Sequence, residues 1–179
     1  CCCLLLVSAC GAVSDSAAPD GSGIPPLTER PGVTPLAPEA LPALKTGQII
    51  YVPVYSEVYD TNQARTLQLA ATLSLRNTDL AHAIVVEAVD YYDSGGKKVR
   101  RYLDRPVALA PLASLAVVVE REDRTGGVGA NFIVEWRADQ IVSSPIAEAV
   151  MIGTASQQGL SWVSPGRVVR ERQASESSK

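Results

Sequence analysis

Residues 66–75 read Thr-Leu-Gln-Leu-Ala-Ala-Thr-Leu-Ser-Leu and decide the fold class. Apolar side chains occupy alternate positions of this stretch: Leu67, Leu69, Ala71, Leu73 and Leu75. Successive side chains of a β-strand point to opposite faces, so this period of two predicts a strand with one buried face. The stretch therefore indicates a β-sheet that packs against a core on one side.

The rest of the domain has the same character. Further strands are predicted at residues 48–55, 83–92, 97–103, 115–122, 131–137, 147–152, 160–163 and 168–169, the last two as a closing hairpin. Asp93-Ser94-Gly95-Gly96 supplies the residues that a tight hairpin turn needs. No window carries a sustained helical period. The pattern predicts an all-β fold, an antiparallel β-sandwich of the immunoglobulin-like kind with about 7–9 strands.

The N-terminal residues predict export and lipidation. A short apolar run, Leu4–Val7, is followed by Ser8, Ala9 and Cys10. The run is too short for a transmembrane helix, which needs about 20 apolar residues, and is typical of the end of a signal peptide. Its last four residues, Val-Ser-Ala-Cys, resemble the bacterial lipobox, in which the cysteine is acylated and becomes the new N-terminus. We expect residues 1–9 to be a residual signal peptide and Cys10 to carry the lipid.

Location and domain boundaries follow from this interpretation. Gly11 replaces the Asp that retains lipoproteins at the inner membrane in many two-membrane bacteria, which favours an extracytoplasmic domain anchored at the outer membrane. All four cysteines lie within residues 1–10, so the exported domain has no disulfide. Seven of the twelve prolines lie in residues 11–46. They predict a tether without packed elements over 10–46, before a sandwich over 47–170 and a frayed tail over 171–179.

Several sequence blocks resemble a bacterial family of exported proteins that is catalogued as domain of unknown function number 3124. The blocks are YVPVYS at 51–56, TLSLRNTD at 72–79, YYD at 91–93, GGVGANFIVEW at 126–136 and EAVMIG at 148–153. The resemblance covers essentially the whole domain, and its glycine-rich block is the most specific part. It implies export and a β fold, and it implies no activity.

Catalytic chemistry has little support in the sequence. His82 has no second histidine or cysteine with which to share a metal, so we expect neither a metal nor a cofactor. The alternative is an envelope hydrolase in which Asn131, Glu135 and Glu148 approach one another, provided that their two strands pair.

Three glycines, Gly126, Gly127 and Gly129, invite comparison with a phosphate-binding loop. Such a loop must open a helix, whereas residues 132–136 are typical of a strand. A structural loop is the better interpretation. We expect at least one of these glycines to have a positive φ.

Two groups of residues are candidates for binding. Tyr51 and Tyr55 share one side of the first strand, and Pro53 between them indicates a sheet edge. They form either an exposed binding edge or a second apolar layer under other parts of the chain. Lys97, Lys98, Arg100 and Arg101 form either a solvated edge strand that prevents aggregation or a contact for an anionic envelope polymer or acidic partner.

The charge balance disfavours nucleic acid as a partner. Residues 47–170 contain 12 Lys and Arg against 13 Asp and Glu, so there is little net attraction to phosphate. We therefore expect a non-catalytic binding or assembly module at the cell envelope, attached to the membrane through Cys10. Its partner would be an envelope protein or glycan.

Overall fold

The computed structural model describes residues 26–155 and 158–173. Within these residues the chain forms thirteen β-strands and three short 3₁₀ turns, and no α-helix. The strands are β1 Val33–Pro35, β2 Thr46–Pro53, β3 Glu57–Tyr59, β4 Thr66–Gln68, β5 Ala70–Arg76, β6 Ile84–Tyr92, β7 Lys98–Arg101, β8 Val107–Leu109, β9 Ser114–Val119, β10 Asn131–Ala138, β11 Ile146–Ala155, β12 Gln158–Pro165 and β13 Arg167–Gln173. The predicted all-β antiparallel sandwich is confirmed. There are more strands than predicted for two reasons. The three-residue strands β1, β3 and β8 were too short to be recognised, and the predicted strand at 66–75 is divided into β4 and β5.

Two antiparallel sheets form the sandwich. The larger has seven strands in the order β1-β8-β6-β10-β2-β13, with β7 also paired to β6. The smaller has the order β12-β11-β5-β9, and β3 and β4 form a separate two-stranded sheet. The core lies between the two main sheets. β6 is central, as predicted, and Gly96 has a φ of 78° in the predicted hairpin turn that leads to β7.

The predicted buried face of residues 66–75 is confirmed, although the strand is interrupted. Leu69, Ala71, Leu73 and Leu75 are at most 1% exposed, and full burial of each leucine contributes about 1.5–3 kcal/mol. At Leu69 the chain passes from β4 to β5, and its N–H donates to the Ser56 carbonyl at 2.9 Å. Because β4 pairs with β3 while β5 lies between β9 and β11, one alternating stretch serves two sheets.

The first long strand, β2, is not the sheet edge that Pro53 indicated. It pairs with β10 on one side and with β13 on the other. Pro53 is the last residue of β2, beyond the point where Tyr51 faces Arg167 at the start of β13. The strand therefore accommodates a proline without being an edge. Its predicted inner face is confirmed, since Ile50, Val52 and Val54 are at most 3% exposed.

The last two strands do not form the predicted closing hairpin. β12 pairs with β11 in the smaller sheet, whereas β13 pairs with β2 in the larger one. Gly166 lies at the crossing and donates its N–H to the Ala147 carbonyl at 2.8 Å. A Cβ atom at this position would lie 2.7 Å from that same oxygen and 2.8 Å from Cγ2 of Ile50. The chain can therefore change sheets here because residue 166 has no side chain.

The ends of the described chain are more ordered than predicted. The expectation of no packed element before residue 47 is wrong for residues 26–46, because β1 pairs with β8 and Val33 is buried. The tail predicted to fray from residue 171 continues β13 to Gln173. The signal peptide at 1–9 and Cys10 lie outside the described residues. No helix among those residues is long and apolar enough to cross a membrane.

Candidate functional site

The two candidate catalytic carboxylates lie on opposite outer faces of the sandwich. Glu135 belongs to β10 in the larger sheet, where its neighbours Val134 and Trp136 point into the core. Glu148 belongs to β11 in the smaller sheet, between the buried residues Ala147 and Ala149. The alternative in which these carboxylates approach one another is therefore wrong. Its physical reason is that β10 and β11, although consecutive, do not pair.

Each member of this constellation has a different environment. Glu148 lies 3.5 Å from Arg76, and Glu135 lies 3.7 Å from Arg172. Asn131 is 9% exposed at the start of β10, in register with Pro53 and Tyr92. With no shared acid–base geometry, the three residues do not form a hydrolytic site.

One cleft lies near the crossing between the sheets, with a volume of about 250 Å³. It is lined by Gln48, Ile50, Ser144, Pro145, Ile146, Ala147, Glu148, Pro165, Gly166 and Val168. The polar side chain at its inner end, Gln48, already donates to Ser144 Oγ at 3.2 Å and to Glu171 Oε1 at 3.1 Å, and it accepts from Trp136 Nε1 at 3.3 Å. The cleft is open to solvent and holds only one of the candidate carboxylates.

The glycine-rich loop is structural. Gly127 has a φ of 72°, which confirms the expected positive φ, and residues Gly127–Gly129 form one 3₁₀ turn before β10. Ser94 ties this loop to the β6–β7 turn, since its hydroxyl donates to the Gly126 carbonyl at 2.9 Å and accepts from the Gly129 N–H at 2.8 Å. A loop held in this way positions β10 and does not open a helix toward a phosphate.

Tyr91 explains why residue 126 is a glycine. A Cβ atom on Gly126 would lie 1.8 Å from the Tyr91 hydroxyl oxygen. That hydroxyl is buried and makes no hydrogen bond of ordinary geometry within the described residues. Burial raises the pKa of Tyr91 to about 12, and the neighbouring Ser56 hydroxyl opposes part of this rise. The ring also packs against Phe132 at 5.1 Å between centroids, so Tyr91 and the glycine-rich block at 126–136 form one packed unit.

Residues 77–79 also build a loop with their polar side chains. Asn77 Nδ2 donates to the carbonyls of His82, Leu109 and Ala110 at 2.8–3.0 Å. Asp79 accepts the N–H groups of Ala81, His82 and Ser143, and these backbone hydrogen bonds lower its pKa to about 2. No group of three or more metal-ligating side chains occurs in the part of the chain that the structure describes. His82 therefore lies in a turn that is stabilised by hydrogen bonds to the Asp79 carboxylate.

The basic candidates on β7 are largely engaged within the chain. Lys98 Nζ lies 2.6 Å from Asp90 Oδ2, and Arg101 Nε lies 2.8 Å from Asp90 Oδ1. Burial acts to raise the pKa of Asp90, but the hydrogen bonds from Arg101 and Lys98 outweigh it and hold that pKa below its ordinary value. Arg100 reaches Asp123 at 3.2 Å, and Lys97 lies exposed at the turn. This arrangement favours the protected edge strand over a free contact for an anionic polymer.

The two candidate tyrosines do not form an open edge. Both are more than half buried, and β2 has a neighbouring strand on each side. Tyr55 packs edge-on against Trp162, with ring centroids 5.9 Å apart. The interpretation of Tyr51 and Tyr55 as an exposed binding edge is therefore wrong. Pro53 had indicated that one side of β2 is unpaired, but β13 pairs with β2 on that side.

Sequence reasoning missed an ion-pair group on the outer face of the larger sheet. Glu87 lies at a bulge in β6 and pairs with Arg137 at 2.6 Å and with Arg172 of β13. The only signal was an isolated glutamate in an apolar strand. This group fastens the charged last strand to the centre of the sheet.

Sequence reasoning also missed the open edge of the smaller sheet at β12. This strand has eight residues and contains no Asp, Glu, Lys or Arg. Val163 is 53% exposed on its outer side and faces Val150 of β11. Edges normally carry charges or proline, or are covered, because unpaired backbone groups attract other strands. A long neutral edge is therefore a candidate interaction surface.

Comparison with known proteins gives the family and no activity. No curated protein matches the sequence. Among solved structures, the chain is similar to one titled "Crystal Structure of Thermotoga maritima 1070", with a TM-score of 0.44 and 12% identity over 67% of this chain and 92% of that chain. The family model described as protein of unknown function, DUF3124, matches residues 47–169. These residues comprise nearly all of the sandwich, and the chain belongs to the DUF3124 family.

Proposed function

We propose that this protein is a membrane-anchored bacterial lipoprotein whose sandwich is a non-catalytic binding or assembly module at the cell envelope. The structural observation that carries the proposal is the neutral, open edge at β12. The sequence Val7-Ser8-Ala9-Cys10 supports the anchor. The partner is another protein chain or an envelope glycan, met on an open surface.

The arrangement of polar groups supports binding over catalysis. Glu135 and Glu148 lie on opposite faces of the sandwich, and each is paired with an arginine. The two carboxylates therefore cannot act together on the same substrate. The loops built by residues 77–79 and 126–129 use their polar groups on their own backbone. The surfaces that remain available to a partner are therefore strand edges and sheet faces.

The anchor is tested by substituting Cys10 with Ser in cells that export the protein. We expect the variant to leave the membrane fraction and to lose incorporation of labelled fatty acid, while thermal unfolding of the domain stays unchanged. Acylation supplies about 0.8 kcal/mol per buried methylene, so its loss removes the anchoring free energy. A Ser variant that remains in the membrane fraction would refute the lipid anchor. Crosslinking in cells with mass spectrometry then identifies partners.

A further inference from the structure

Three edge strands of the two main sheets, β1, β7 and β9, are protected in recognisable ways. β1 has three residues and ends in Pro35, and β7 carries Lys98, Arg100 and Arg101. β9 is covered by side chains, since Tyr102 Oη donates to the Val118 carbonyl at 3.2 Å and Arg30 binds that of Ala116. These are the devices that keep sheets from pairing edge to edge.

The remaining two edges are β12 and β13. β13 contains three arginines and a glutamate in seven residues. β12 carries no charge, no side-chain hydrogen bond among the described residues reaches its backbone, and its only proline is its last residue. A long neutral edge left open in a sheet is a template for another strand.

We propose that β12 pairs in antiparallel fashion with β12 of a second copy of this chain, so that two four-stranded sheets become one of eight strands. The inference rests on the proposed assembly role and names its partner. The two strands would be related by a twofold axis, which is the commonest symmetry of protein dimers.

Charge favours a second copy over a foreign strand. Antiparallel self-pairing places each side chain opposite a side chain of the same short segment, and like charges opposite each other are destabilising. Residues 158–165 contain no ionisable side chain, so self-pairing meets no such repulsion. Complementary charges help an interface to select a foreign partner, and β12 offers no charged group for that purpose.

The outer face of the smaller sheet is continuous with such a pairing. Val163, Val150, Thr72 and Val118 form one cross-strand row from β12 to β9. Pairing at β12 would extend this row into the second copy through Val163. Because the other main-sheet edges of the described residues are protected, pairing at β12 uses the open edge and stops at two copies.

The test measures self-association of the full chain carrying Cys10→Ser, under reducing conditions, by sedimentation velocity. We expect a dimer for this parent chain. Val163→Lys should weaken it about tenfold or more, because it places an ammonium group from each copy on the same face of the joined sheet, where the parent chain has no charge. Val118→Lys is the matched control at the covered edge, in the same cross-strand row, and should leave the dimer intact. Circular dichroism verifies that both variants fold.

A cysteine scan over residues 161–164, with the native cysteines replaced by Ser, keeps the proposal testable if Val163→Lys fails to fold. The residue nearest the axis should form a disulfide-linked dimer, whereas cysteine at Val118 should not. A parent chain that stays monomeric at about 100 μM would overturn self-pairing. So would a dimer that Val118→Lys disrupts and Val163→Lys does not. Either result would leave the Cys10 anchor and binding to a different partner standing, because those are measured separately in cells.

Discussion

β12 and β13 are consecutive strands of eight and seven residues, separated by Gly166, and each lies at the edge of its own sheet. β13 carries charges, and its Arg172 is held by Glu87 in the central strand β6. β12 carries none. Both strands thus have unpaired backbone groups on their outer side, but only β13 has charged side chains there. The difference indicates that β13 is built to stay unpaired on its outer side and β12 is built to be paired.

The largest expected effect comes from disturbing the residue that separates the two strands. Gly166→Ala should destabilise the domain by about 2 kcal/mol or more, because the new Cβ would overlap the Ala147 carbonyl and Ile50. Gly159→Ala in β12 is the control, since no atom lies within 4 Å of its added Cβ. Urea denaturation of both variants measures the difference. Equal stabilities would show that the crossing between sheets tolerates a side chain.

A medium effect is expected from the charged edges and their pH dependence. Asp90 fastens β7 through Lys98 and Arg101, so Asp90→Asn should cost about 1 kcal/mol at neutral pH. The pKa of Asp90 is lowered from 3.8 in the folded protein. Its stabilising contribution is therefore present above pH ~3.8 and is lost as the pH falls through the folded pKa. The free-energy gap between the parent chain and Asp90→Asn should shrink below about pH 4.

The control for this experiment is Asp104→Asn, an exposed carboxylate close to the same strand. We expect it to change the free energy of unfolding by less than about 0.5 kcal/mol at every pH. A gap between the parent chain and Asp90→Asn that stays constant down to about pH 2 would show that Asp90 contributes through shape or neutral hydrogen bonds. The charged edge would then owe its protection to something other than ion pairs.

Local periodicity explains which parts of the fold could be predicted. Leu69, Ala71, Leu73 and Leu75 share a face because successive strand residues alternate, whatever the partner strand is. The strand partners could not be read in this way, because pairing depends on residues far apart in the chain. Residues 160–163 and 168–169 have the composition of a hairpin, and only the close contacts of Gly166 place them in different sheets.

The candidate catalytic site was wrongly predicted for the same reason, because it depended on which strands pair. Glu135 and Glu148 were brought together on the assumption that consecutive strands pair, which is the commoner arrangement but not the one found here. Glu87 escaped notice because its role depends on a bulge and on Arg172, which lies 85 residues away in sequence. The positive φ of Gly127 could be predicted, since it reflects a local backbone requirement.

The smallest expected effect is the response of the proposed dimer to salt. Salt weakens contacts between opposite charges by screening them, and β12 contributes no charge. The dimer Kd should therefore change by less than about twofold between roughly 0.05 and 0.5 M NaCl. In Val163→Lys the residual association should instead strengthen with salt, because screening reduces repulsion between the two lysines. A parent dimer that weakens severalfold in high salt would place oppositely charged groups at its interface. The charged strand β13, with Arg167 and Arg170 exposed, would then be the paired edge and β12 the one left open.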